Sequence, residues 1–318
     1  MKMLIALTLL ASGVVNAQSY NTAYGSYALE FNKTGVFDSA FGAFALNENT
    51  SGYYNTASGM ESLYFNSIGN GNSATGYQSM YLNSSGNYNT AQGYGSLNQN
   101  TTGQNNTALG TGALFLNGLG NNNTAVGYSA LNNNYSGSYN IGIGYNAGYV
   151  PSTGSYNIEI GNNGLSADNG VIRIGTQGLQ HFTQIAGISG VKVTGGAQVL
   201  VNAKGQLGVA SSSIRYKENV NAMGDASDKL LALRPVTFQY KEAEEDGSKP
   251  VQYGLIAEEV EKVMPGLVVY NDKGQPETVA YQTLAPLLLN ELQKEHAQID
   301  QLQAVVAELR KAHCTARN

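Results

Sequence analysis

Residues 72–93 read Asn72-Ser73-Ala74-Thr75-Gly76-Tyr77-Gln78-Ser79-Met80-Tyr81-Leu82-Asn83-Ser84-Ser85-Gly86-Asn87-Tyr88, and then the phrase restarts as Asn89-Thr90-Ala91-Gln92-Gly93. The interval is seventeen residues, and it holds in both directions. The phrase begins at Asn21, Asp38, Asn55, Asn72, Asn89, Asn106, Asn123, Asn140 and Asn157, and its fifth position is always glycine, from Gly25 to Gly161. A second glycine keeps the same phase from Gly35 through Gly86 to Gly154. A small residue followed by an apolar one recurs as Ala28-Leu29, Ala45-Leu46, Ala113-Leu114 and Ala130-Leu131.

Fixed periodicity without insertions means one small unit stacked many times. Seventeen residues are too few for a pair of helices, and the glycines and asparagines disfavour helix. Two short strands joined by glycine-bearing turns fit one coil of a β-solenoid. Glycine supplies positive φ, and asparagine tolerates that region and stacks into side-chain ladders. Nine coils at an inter-strand spacing of about 4.7 Å make a rod roughly 40 Å long. One coil offers only alanine and leucine to a core, so the solenoid is expected to complete its core against copies of itself. A disordered Asn/Gly-rich tract is the alternative on composition, but disorder gives no reason to hold glycine in phase. The repeats, over roughly residues 20–162, resemble the heads of trimeric autotransporter adhesins, which implies a trimeric β-roll.

Outside the repeat the chain changes character three times. Lys2, the apolar run Met3–Leu10 and the small residues around Val15-Asn16-Ala17 read as a removable export signal over 1–17,. The apolar run is too short to span a bilayer. The expected location is therefore secreted or cell-surface, with no transmembrane segment in the mature chain. After the head (18–162), β-branched pairs such as Val171-Ile172-Arg173-Ile174 and Val191-Lys192-Val193 predict a β-rich neck over 163–211,. From 212 to 318 charge rises and helical periodicity takes over. Thr283–Lys311 is expected as a long helix whose Ala285, Leu288, Leu292, Ile299, Leu302, Val306 and Leu309 form a coiled-coil seam, interrupted at Glu295,.

Composition excludes several functions. Only 12% of residues are charged and the net charge is -5, so no basic surface for nucleic acid is expected,. The single cysteine, Cys314, forms no intrachain framework, and His181, His296 and His313 are too scattered for a metal site,. No cofactor is expected. The abundant Asn and Tyr side chains suit contact with a host surface or glycan, and they equally suit stacked turns.

Chemistry is concentrated at one junction, Ser211-Ser212-Ser213-Ile214-Arg215-Tyr216-Lys217. Downstream come Leu230–Lys241, a short helix stopped by Pro235 and then a strand, Tyr253-Gly254-Leu255-Ile256-Ala257-Glu258-Glu259-Val260, and Val279-Ala280-Tyr281 before the long helix. In this order the segment resembles the self-cleaving intramolecular chaperone domain of phage endosialidases and tail spikes. The resemblance implies cleavage just before the serine of a Ser-Asp-x-Arg-x-Lys motif. Ser212, Arg215 and Lys217 fall on its serine, arginine and lysine, while Ser213 stands where the family has aspartate. Ser212 would be the nucleophile, Lys217 its general base and Arg215 a supporting charge, with the cut between Ser211 and Ser212. The implied protein is an exported homotrimeric fibre whose last domain templates assembly and then cuts itself off, a single-turnover serine peptidase. An uncleaved surface adhesin and a phage-derived tail fibre remain the alternatives.

Overall fold

The in-phase glycines and asparagines build a continuous parallel ladder. In the computed structural model, residues 15–16 and 20–315 are described, apart from 152, 189–191, 203, 245 and 272. The expected export signal therefore lies almost wholly outside the described residues. Its Val15–Asn16 (β1) pairs antiparallel with β2 (Asn21–Tyr24). There follow β3 (Ser39–Phe41), β4 (Thr56–Ser58), β5 (Ser73–Thr75), β6 (Thr90–Gln92), β7 (Thr107–Leu109), β8 (Thr124–Val126), β9 (Ile141–Ile143), β10 (Ile158–Ile160) and β11 (Ile172–Ile174). These strands form one 11-stranded sheet in sequence order. From β2 to β10 each strand pairs in parallel with the residue seventeen later, as Ala57 with Ala74 and Ala74 with Ala91.

The other leg of each coil is not the second strand that the repeat predicts. It is hydrogen-bonded coil to coil, with Leu63 N donating to Ser79 O at 3.0 Å and Gln78 N to Met60 O at 3.1 Å. Yet Glu61, Leu63, Gln78 and Met80 all sit at positive φ, between 51° and 58°. The leg is a compact coil in which left-handed residues alternate with others. A left-handed leucine costs about 1–2 kcal/mol. Full burial of its side chain offsets this, at about 1.5–3 kcal/mol.

That burial happens within one chain, contrary to the expectation of a shared core. The alanines of the sheet (Ala40, Ala57, Ala74, Ala91, Ala108, Ala125) meet Leu46, Leu63, Met80, Leu97, Leu114 and Leu131 of the other leg in one closed cluster. Sheet and leg are joined by the asparagine ladders that the repeat predicts, and the ladder asparagines are buried, not displayed. Asn72 Nδ2 donates to Asn55 Oδ1 (3.2 Å) and to Gly86 O (2.8 Å), and Asn72 Oδ1 accepts from Asn89 N (3.0 Å). A second ladder runs beside it, Asn83 Nδ2 to Asn66 Oδ1 (2.7 Å) and also to Gly86 O (3.0 Å). Gly86 must be glycine, because a Cβ would lie 2.4 Å from Asn83 Oδ1 and from Gly103 O.

At its last rungs the core ends on charge. The inward alanine position becomes Glu159 in β10 and Arg173 in β11, paired in register. Arg173 grips Asp168 with two 2.6 Å bonds. Glu159 is only 4% exposed, and its Oε2 has no partner. Burial, aided by nearby Asp168, pushes its carboxyl up from 4.5 to about 7.

The chain divides into two compact units at 186/187, inside the segment expected as a neck. In the second unit β12 (Leu200–Val201) and β13 (Leu207–Gly208) form a small antiparallel pair. The neck strand expected at Val191–Val193 is absent at its described residues, 192 and 193. Then come a 3-10 helix at Gly224–Ala232, β14 (Val236–Phe238) paired with β15 (Gln252–Gly254), and α1 (Ala257–Val263). After these, β16 (Val268–Tyr270) pairs with β17 (Pro276–Val279), and α2 (Tyr281–Thr315) ends the order. Leu230, Val260, Leu267, Val268, Val279 and Leu287 make its core. The helix expected at Thr283–Lys311 is thus α2, and its seam residues Leu288, Leu292, Ile299, Leu302, Val306 and Leu309 are exposed in the single chain. Among the described residues no helix is long and apolar enough to cross a membrane.

Candidate functional site

The junction residues fold into one tight turn. Ile214–Tyr216 is a single 3-10 turn, with Tyr216 N donating to Ser213 O (3.1 Å) and Lys217 N to Ile214 O (3.2 Å). Short polar residues favour the position before such a turn, because their oxygen takes up an otherwise unpaired N–H. Ser213 does this: its Oγ accepts from Arg215 N at 3.4 Å and from Arg215 Nε at 3.2 Å. A carboxylate at 213 would accept the same two donors, so serine in place of the aspartate that the resemblance implies keeps the turn's cap and loses a charge.

The turn brings together the two residues to which the resemblance gives chemical roles. Lys217 Nζ lies 3.4 Å from Ser212 Oγ, across five residues of chain. Arg215 does not face that pair in the same way; it folds back to Ser213, its guanidinium carbon 5.7 Å from the centre of the Tyr216 ring. Ser211 is hydrogen-bonded through its Oγ to Ser213 N (3.4 Å). Ser211, Ser212, Arg215 and Lys217 are all exposed in the single chain. A serine hydroxyl needs an adjacent base to become a nucleophile. A lysine serves as that base where burial or positive charge lowers its pKa.

The downstream motifs fit one another physically. Tyr281 at the head of α2 accepts a hydrogen bond on its Oη from Leu255 N (2.9 Å). A Cβ on Gly254 would lie 2.7 Å from that oxygen. The Tyr253-Gly254-Leu255 phrase and the distant Tyr281 therefore belong to one contact. Arg234 pairs with Glu259 across the same unit, which holds the Glu259 carboxyl below its usual range.

Sequence reasoning missed a polar network that ties the 3-10 helix to α2. Buried Ser227 donates to Glu291 and accepts from Asn290 Nδ2 (2.5 Å). Lys294 bridges Asp228 and Glu291. Those bonds lower the Glu291 carboxyl and raise the Lys294 ammonium. The spacing Asn290, Glu291, Lys294 marks one face of a helix. Its partners lie more than sixty residues away, and no sequence pattern couples them.

A protein-family model described as the chaperone of endosialidase matches residues 212–269. The match starts at Ser212 itself and runs through the turn, the 3-10 helix, β14, β15 and α1 into β16. No curated protein and no solved structure matches the chain.

Proposed function

We propose that the chain is an exported homotrimeric fibre whose final domain, 212–318, templates assembly and then separates itself by cutting between Ser211 and Ser212. The observation that carries this reading is the 3.4 Å approach of Lys217 Nζ to Ser212 Oγ, at the first residue of the segment that matches the chaperone family.

The chemistry balances with groups of this chain and water. Neutral Lys217 takes the hydroxyl proton of Ser212 as Oγ attacks the carbonyl carbon of Ser211. The carbon–nitrogen bond then breaks, the Ser212 nitrogen leaves as an amine with that proton, and an ester joins Ser211 to Ser212 Oγ. Water hydrolyses the ester to a Ser211 carboxylate and restores the Ser212 hydroxyl. Ser213 positions the turn by capping it, and Arg215 holds that cap. Both reacting residues are exposed in one chain, so the burial that would make Lys217 a base has to come from neighbouring copies. That couples cutting to assembly.

A template suits the rod. A ladder with one register every seventeen residues pairs almost as well when copies slip by a coil, and a separate trimeriser removes that choice. The exposed apolar seam of α2 supports a three-stranded coiled coil as the trimeriser. Once the template is gone, the fibre cannot unfold by the route it folded. The leader over 1–17 would export it to the cell surface or medium; host-surface or glycan contact by the rod belongs to the alternative, uncleaved adhesin.

The test is denaturing electrophoresis and intact mass of the wild type beside Ser212→Ala and Lys217→Ala. The wild type is expected to yield a fragment starting at Ser212, and both variants to stay whole. An uncut wild type refutes the cleavage and favours the adhesin, and equal cutting in all three refutes the assignment of Ser212 and Lys217.

A further inference from the structure

The sheet of the solenoid has an outer as well as an inner face, and the outer face changes along its length. Each rung points two residues outward. From β4 to β6 these are Thr56, Ser58, Ser73, Thr75, Thr90 and Gln92. From β9 to β11 they are Ile141, Ile143, Ile158, Ile160, Ile172 and Ile174, in two unbroken rows. Leu109 and Val126 extend one row back into β7 and β8. None of the ten outward positions of β7–β11 is charged. Among the described residues nothing covers the end of these rows: Ile172 is 66% exposed and Ile174 72%. The chain then continues with Leu179, Phe182 and Ile185, one large apolar residue at every third position and all exposed, Phe182 by 83%.

Three rungs two apolar side chains wide, and two more with one, spaced at about 4.8 Å, make an apolar strip of a few hundred Å², the size that marks a contact site on a soluble protein,. The strip alone falls short of the roughly 800 Å² per partner of a stable interface, so it requires the apolar row that follows it.

We infer that the outward face of β7–β11, continued by Leu179, Phe182 and Ile185, is where copies of this chain meet side by side. The occupant follows from the geometry. The rows repeat once per rung, and a second copy of this chain presents apolar side chains at the matching interval over the same last rungs. A charged partner would find no charge there, and a glycan only the hydroxyls of Thr107 and Thr124. The apolar rows also lie at the end of the repeat nearest in sequence to the domain that would set the register, where copies would first be brought together. This inference rests on the trimeric reading above and adds to it the face that is used.

The test uses the full chain with Cys314→Ser, so that single cysteines can be placed at Ile143→Cys, Ile160→Cys or, on the other leg of the coil, Gln99→Cys. Mass is measured by light scattering on each, followed by mild oxidation and non-reducing denaturing gels. The expected result is a trimer in every case, with disulfide-linked copies for Ile143→Cys and Ile160→Cys and none for Gln99→Cys. A trimer linked only through Gln99→Cys, or through none of the three, overturns the assignment of this face and leaves the trimer standing. A monomer overturns both.

Discussion

Glu159 occupies the inward position that alanine fills in most rungs, and it makes the end of the solenoid sensitive to pH. Its carboxyl is buried beneath Gly148 and Gly164, where a Cβ on either glycine would lie within 2.4 Å of a carboxylate oxygen. Burial is the main reason its pKa rises to about 7; Asp168 adds repulsion and Arg173 partly opposes it. A group whose folded pKa is raised stabilises the fold fully below its unfolded pKa, near 4.5, and loses that contribution as pH rises through the folded value. The window is therefore about pH 4.5–7. The displacement corresponds to roughly 3 kcal/mol, at about 1.4 kcal/mol for each tenfold change. Glu159→Gln keeps the shape and cannot ionise. At pH 8 it should hold the last rungs more tightly than the wild type by up to roughly 3 kcal/mol, an advantage that shrinks to about 1 kcal/mol or less at pH 5. Asp168 shifts the opposite way, its carboxyl lowered chiefly by the bonds from Arg173. Its contribution is lost only as pH falls below about 4, so the comparison runs at pH 5 and above. Hydrogen exchange read by mass spectrometry over 157–175 in both proteins, corrected for intrinsic rates, reports the difference. An advantage that is absent, or equal at pH 5 and pH 8, would refute the reasoning.

Four further outcomes follow from the same geometry. Asp38 interrupts the asparagine ladder, and burial raises it to about 6 against the bonds it accepts from Asn55 and Asn49; Asp38→Asn should stabilise the first coils above pH 6 and make little difference near pH 4, by exchange over 21–56. Gly86→Ala should cost about 1–3 kcal/mol or more by thermal melting, since the added carbon meets the Gly103 carbonyl and an Asn83 amide held in the buried ladder by Asn100,. Leu114→Ala empties a fully buried site and should cost about 2–5 kcal/mol in the same assay,. Ser213→Asp should cut at least as fast as the wild type and Ser213→Ala more slowly, on a time course of denaturing gels, because only the alanine leaves Arg215 N without its cap.

The elements legible in the sequence were those set by neighbours on the chain. Gly76 and Gly93 announce a turn because a Cβ at Gly76 would lie 2.6 Å from Gly93 O, one period away, and a strict period lets that distance be inferred from spacing alone. The break before Pro235, the strand Val236–Phe238 and the start of α2 just after Val279 were legible for a similar reason, as local propensity and capping. The Ser212–Lys217 pair was not legible in that way: it was picked out by the resemblance of the surrounding segment, and a single 3-10 turn closes its five-residue separation. What escaped was set by partners in space. The repeat suggested a second strand where Leu63 and Met80 are left-handed, because burial against the alanine row outweighs the backbone preference of leucine. The same closure gave the solenoid a core of its own, which alanine and leucine had not been expected to provide within one chain.

Seventeen-residue phase and glycine at fixed positions are properties of the sequence by itself, since each depends on intervals along the chain. The burial of the ladder asparagines, the unpartnered Oε2 of Glu159, the Ser227–Asn290–Glu291–Lys294 network and the apolar outer face of the last rungs were decided by the tertiary structure. Each depends on which residues water can no longer reach, or still can, and that is a property of stacked coils and packed helices, not of neighbours in a string.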